Sequence, residues 1–190
     1  MSKRILGSLC VVGAILAAGA GFAPSTQVHA AGNTRTVHQE GFTIAFPTTW
    51  KYAASVKLSD IFQTPKLQGL PGDAAGAQSA DGKAEMIAVV VRGTVSAAAI
   101  KTEETAMYND GPDKPSTPIK YSTVKQHGAT FTLAGSTVKI GSQVNNALIA
   151  AVAHAGKTYY FLAQGPADSS AKSKADLAEL TAALDTIAVS

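Results

Sequence analysis

The stretch from Ile119 to Gln164 constrains the fold more than any other part of the chain. It divides into four runs of strand character, Ile119 to Lys125, Ala129 to Ile140, Asn145 to His154 and Lys157 to Gln164. The links between them leave room only for a reversal of direction. His127-Gly128 and Ala155-Gly156 are two-residue turn candidates, because tight hairpin turns need positive φ and glycine supplies it without steric cost; Gly141-Ser142 sits in a slightly longer link. Parallel neighbours would need crossovers of about a dozen residues, so these four strands pair antiparallel. The chain then closes on a helix from about Ser170 to Ala188. Leu177, Leu180, Leu184 and Ile187 form its apolar stripe at spacings of three and four, with Lys174, Glu179 and Asp185 on the other side.

The first half is less regular. Phe42, Ile44 and Phe46 alternate with Thr43 and Ala45, the pattern of a half-buried strand, and Pro47 ends it because proline cannot donate to a ladder. Trp50 and Tyr52 follow after a Thr48-Thr49 turn. From Lys57 to Lys83 the pattern dissolves among Pro65, Gly69, Pro71, Gly72, Gly76 and Gly82, which predicts a long loop and, with it, a binding surface. Leu58, Ile61, Phe62, Leu67 and Leu70 imply that part of this loop packs. Met86 to Val91 is a nearly continuous apolar run and predicts a central strand covered on both faces. Ser96 caps a helix predicted to reach Asn109, with Ile100, Glu103, Glu104 and Met107 setting its faces, and Gly111 to Pro118 is a proline-rich connector. This order of elements predicts an α+β fold in which helices cover an antiparallel sheet.

Residues 1–30 read as a different object. Lys3 and Arg4 precede an apolar run from Ile5 to Ala20, and the segment ends in Val28-His29-Ala30, the pattern of a secretory signal peptide cleaved after Ala30. A retained membrane anchor is the alternative, but Ser8, Gly13, Gly19 and Gly21 interrupt the run. Lipidation at Cys10 is another, although Gly7-Ser8-Leu9 lacks the small residue expected directly before such a cysteine. The full chain of 190 residues carries +3; cleavage removes Lys3 and Arg4 and leaves 14 basic against 13 acidic residues, or +1. The apparent basicity therefore leaves with the leader. The only cysteine leaves too, so the mature domain has no disulfide, thiolate nucleophile or cysteine-based metal site. The expected organisation is a cleaved leader at 1–30, a flexible tether at 31–40, and one domain at 41–190 with its long loop at 57–83. The destination is extracytoplasmic, in a periplasm or cell-wall space, with no stable membrane span after cleavage.

No motif in the mature chain points to a reaction. Ser-x-x-Lys occurs at Ser122 to Lys125, Ser136 to Lys139 and Ser169 to Lys172. The first two fall on predicted strands, where residues three apart face opposite ways, and the third lacks the partner motifs of penicillin-recognising enzymes. His38, His127 and His154 have no second ligand at helical spacing, so no metal is expected. The glycines between Gly69 and Gly82 neither follow a strand nor open a helix, and Asp60, Asp73 and Asp81 lie too far apart for a calcium loop. With a net charge of +1 and no basic stripe, nucleic acid is excluded as a partner.

The run Gly41-Phe42-Thr43-Ile44-Ala45-Phe46-Pro47-Thr48-Thr49-Trp50-Lys51 resembles the G-F-x-I-x-Y/F-P-x-x-W opening of the PsbP-like proteins, which include the photosystem II extrinsic subunit and exported bacterial proteins of unassigned role. The hairpin around Gly156, the aromatic strand Tyr159-Tyr160-Phe161 and the final helix running into Ile187-Ala188-Val189 extend the resemblance over most of residues 37 to 190. It implies an α-β-α sandwich and a role in binding or assembly rather than catalysis; the chain shows no independent sign of chlorophyll, manganese or calcium binding, so no cofactor is expected. Phe42, Ile44, Phe46 and Trp50 are then core, and Pro47 directs the chain round the corner that places Trp50. The expected function is an exported, non-catalytic module contacting a protein or a small apolar ligand through a surface around Phe62, Leu67, Leu70, His127 and His154. The alternative is an extracytoplasmic hydrolase or metal-dependent enzyme whose residues converge only in space.

Overall fold

The four strands of the second half form one continuous meander. A computed structural model describes residues 34–39, 41–56, 72–93, 96–110, 115–140 and 142–190. Strands β1 to β5 are Thr34–Gln39, Phe42–Pro47, Lys51–Val56, Gly72–Gln78 and Glu85–Arg92; helix α1 is Ala97–Asp110. Then come β6 (Lys120–Gln126), β7 (Ala129–Ile140), β8 (Gln143–His154), β9 (Lys157–Pro166), helix α2 (Ala171–Asp185) and β10 (Ala188–Val189). Seven strands build the main antiparallel sheet in the order β3-β4-β5-β9-β8-β7-β6, and β1-β2-β10 form a smaller one. His127 and Gly128 have φ of 46° and 81°, and Ala155 and Gly156 have 47° and 75°; both pairs therefore make the mirror-image turn that matches strand twist. Ile140 pairs with Gln143, so the β7–β8 link is also two residues, shorter than the spacing of apolar residues implied.

The two faces of the large sheet are covered differently. Phe42 meets Tyr159 and Phe161 edge-on at 6.4 and 5.5 Å, which lays the small sheet against one face of β9. Leu180 of α2 approaches Gly165 on that same face. On the opposite face lies α1, packed over β7 and β8, with the Tyr108 hydroxyl 3.0 Å from the Ala134 carbonyl and 2.9 Å from that of Ala147. The result is the expected α+β arrangement, with an antiparallel sheet between helical layers. Central β5 is buried from Met86 to Val91, the pattern of a strand covered on both faces. Among the described residues, no helix is long and apolar enough to cross a membrane.

Three sequence expectations need correction. Residues 34–39, placed in a flexible tether, form β1, which pairs with β2 from Thr34↔Pro47 to Gln39↔Phe42. Among residues 34–38 of this polar strand only Val37 is buried, so its alternation carries almost no hydrophobic signal. Residues 72–78, placed in the long loop, form β4, inserted between β3 and β5. Its sequence, GDAAGAQ, has low intrinsic strand preference, yet Ala74, Ala75 and Ala77 are buried, so packing between two neighbours overrides propensity. The terminal helix stops at Asp185, and Ala188–Val189 returns as a strand against β2. The proposed leader at 1–30 and residues 57–71 lie outside the described residues.

Candidate functional site

The corner after β2 shows how the aromatic motif is held. Pro47 ends the strand, and its carbonyl accepts from the Trp50 amide at 3.0 Å, closing the turn that swings the indole inward. Phe42, Ile44, Phe46 and Trp50 are all buried; Phe46 stacks on Trp50 at 6.3 Å, and the indole N–H donates to a Glu179 carboxylate oxygen at 2.7 Å. Thr186 accepts from the Ala45 amide at 2.8 Å, and the Ser190 amide donates to the Gly41 carbonyl at 2.8 Å. The strand that carries the motif is thus clamped along its length by the end of the chain. Phe42, Ile44, Phe46 and Trp50 hold the fold together from the interior.

The five candidate surface residues divide. Phe62, Leu67 and Leu70 lie outside the described residues. His127 and His154 are both exposed, each at a hairpin turn. His127 places Nε2 3.1 Å from the Asp185 carbonyl oxygen at the end of α2, and beside it the Gln126 amide group donates to the Leu184 and Ile187 carbonyls at 2.8 and 3.0 Å. The β6–β7 turn therefore adds side-chain hydrogen bonds to carbonyls at and just beyond the C-terminus of α2. Among the described residues, no group of three or more His, Cys, Asp or Glu is arranged to hold a metal ion.

Register brings these turns and Val56 and Gly72, the residues flanking segment 57–71, to one end of the main sheet. Gly72 pairs with Val91, next to it Arg92 pairs with Lys157, and Lys157 also pairs with His154. Val56 pairs with Ala74 near that end, and Gln126 pairs with Ala129 across the His127 turn. Gly41 joins the cluster, since a side chain there would sit 2.7 Å from the Tyr159 hydroxyl and 3.1 Å from the Ser190 carbonyl. Below the His127 turn lies an apolar recess lined by Val124, Phe131, Leu133, Leu148, Leu184 and Ile187. Its free volume of ≈ 20 Å³ admits about one water; ligand pockets are more than tenfold larger.

The sequence missed a second polar cluster. Ile100, Glu104 and Tyr108 recur every four residues along α1, and all three are buried, with Glu104 at 0% exposure. Neither carboxyl oxygen of Glu104 has a hydrogen-bond partner. Burial pushes its pKa up to about 8 against the opposing pull of Lys101, so the group is mostly protonated at neutral pH. Next to it Glu103 accepts from the Tyr160 hydroxyl, while Thr105 bonds Tyr121 and the Lys101 ammonium lies 4.5 Å from the Tyr121 ring centre. The spacing of four was visible in the sequence, but a glutamate on an apolar stripe reads as the edge of the solvent face.

Solved structures share this architecture. The chain is similar to the solution structure of cyanobacterial PsbP (CyanoP) from Synechocystis sp. PCC 6803, with a TM-score of 0.60 and 13% identity over 88% of this chain and 99% of that one. It is also similar to a crystal structure from Bacteroides thetaiotaomicron VPI-5482, with a TM-score of 0.51 and 14% identity over 84% of this chain; the match spans 48% of that longer protein. No protein-family model and no curated protein matches the chain. At these identities the likeness is one of fold, and the fold is PsbP-like.

Proposed function

We propose that this PsbP-like chain is an exported, non-catalytic binding module that docks a protein partner with the turn end of its main sheet. The observation that carries this reading is topological. Val56 and Gly72, which flank segment 57–71, stand at the same end of the sheet as the exposed His127 and His154 turns. Phe62, Leu67 and Leu70 belong to that segment and supply the apolar contacts of the docking surface. The recess beside His127, at ≈ 20 Å³, is too small for a ligand, whereas exposed turns at the end of a rigid sheet suit a broad contact with a folded protein. The leader pattern at 1–30 supports export.

The test is a pull-down from the extracytoplasmic fraction with three baits. These are the wild type, a variant lacking residues 58–70 that circular dichroism shows to be folded, and Lys83→Glu at the opposite end. The reading expects a partner retained by wild type and Lys83→Glu and lost from the deletion. Identical profiles from wild type and the deletion overturn it.

A further inference from the structure

Helix α1 is held to the seven-stranded sheet through its side chains. Ile100 and Tyr108 are buried against it, the Tyr108 hydroxyl reaches the Ala134 and Ala147 carbonyls, and Glu103 and Thr105 bond Tyr160 and Tyr121. In the middle of this contact sits Glu104, fully buried with both oxygens unpartnered. As a neutral acid it is tolerated. As a carboxylate it would be a buried charge with no hydrogen-bond donor and only the pull of exposed Lys101 to offset it, among the most costly groups an interior can hold.

From this geometry we infer that α1 is a pH-gated flap, docked while Glu104 is protonated and released from the sheet when Glu104 ionises. The groups around it cannot neutralise the charge in place. On its own helix, Lys101 is exposed and lies over the Tyr121 ring, Glu103 is bound to Tyr160, and Tyr108 is committed to two backbone carbonyls. Tyr160 of β9 and Tyr121 of β6 are engaged by Glu103 and Thr105, and Glu85 of β5, on the same face, is bound to Gln164. By strand alternation β7 and β8 present Thr132, Ala134, Ser136, Val138, Asn145, Ala147, Ile149 and Ala151 to that face, none of them titratable. Burial raising the pKa of Glu104 to about 8 places the transition on the mildly alkaline side of neutrality.

The sheet is cross-linked by continuous ladders from β3 to β6, so movement of α1 is the least costly response to the new charge. The released state bares an uncharged strip on β7 and β8 with Tyr160 beside it, a surface available only above neutral pH. The inference concerns the opposite face from α2 and does not depend on the docking end.

Hydrogen exchange at about pH 6 and pH 9, corrected for the intrinsic rate, tests it. In wild type, the amides of residues 97–110 should lose about tenfold or more of their protection at the higher pH, while β8 and β9 keep theirs. In Glu104→Gln that loss should vanish. Equal protection of α1 at both pH values in wild type, or an undiminished loss in Glu104→Gln, overturns the inference. Carboxyl-carbon NMR of the wild-type chain gives a second reading without any substitution. A Glu104 midpoint well above the usual carboxylate range supports the flap, and one within that range refutes it.

Discussion

Trp50 donates its indole N–H to the Glu179 carboxylate at 2.7 Å, joining the corner after β2 to helix α2 across 129 residues of sequence. The indole is 6% exposed and stacked on Phe46, so it contributes both packing and a hydrogen bond to a charged acceptor. Trp50→Ala is expected to cost roughly 3 to 5 kcal/mol in denaturant unfolding. Glu179→Ala keeps the packing but orphans the indole N–H, and should cost about 1 to 3 kcal/mol. Near-neutral stability of Trp50→Ala with loss of partner binding would make the ring a contact residue instead.

Gly41 has φ +90°, and an added Cβ would meet the Tyr159 hydroxyl at 2.7 Å and the Ser190 carbonyl at 3.1 Å. Strain and collision act together there. Gly41→Ala should destabilise the fold by about 1 to 3 kcal/mol, measured by thermal melting. If it behaves like an exposed glycine substitution, the β1–β2 turn does not pack as described.

Ala155 occupies left-handed space at φ 47° in the β8–β9 turn, where an alanine side chain gains nothing and costs strain. Ala155→Asn places the preferred residue before Gly156, and an increase in stability of about 0.5 to 1 kcal/mol is the expected result of urea titration. A loss of stability would show that the turn has another geometry.

Glu85 gives stability a direction with pH. Burial of its carboxyl raises the pKa to about 7, partly opposed by the Gln164 hydrogen bond. Between the ordinary glutamate value and that point, the folded chain holds a proton that the unfolded chain has released. Stability from this group is therefore full in acid and is lost as pH rises through about 7. Unfolding free energies measured from about pH 4.5 to 8 should fall for wild type, and the fall should be smaller in Glu85→Gln. An identical slope in the variant would remove Glu85 as its cause.

How much was legible in the sequence follows from what each element uses to hold itself. The meander was readable because the His127-Gly128 and Ala155-Gly156 turns are set by local backbone chemistry and the strands between them by apolar runs. The burial of Phe42, Ile44 and Phe46 followed from alternation alone. Strand β4 was not readable, because Ala74, Ala75 and Ala77 are strand residues only when β3 and β5 flank them. Strands β1 and β10 depend in the same way on β2 as their partner. The gathering of Arg92, His127 and His154 at one end needed the strand order, in which β5 sits beside β9 although helix α1 and three strands separate them in sequence. Glu104 needed the tertiary contact, since its residue type argued for solvent and only its spacing from Ile100 and Tyr108 argued for the core.

The most direct measurement of the docking claim is hydrogen exchange of the chain alone and bound to the partner captured by the wild-type bait. The account predicts new protection at residues 126–129 and 154–157, at the ends of β3 and β4, and in the segment between them. Protection confined to the opposite end, around Lys83, Asp168 and Ser170, would contradict it.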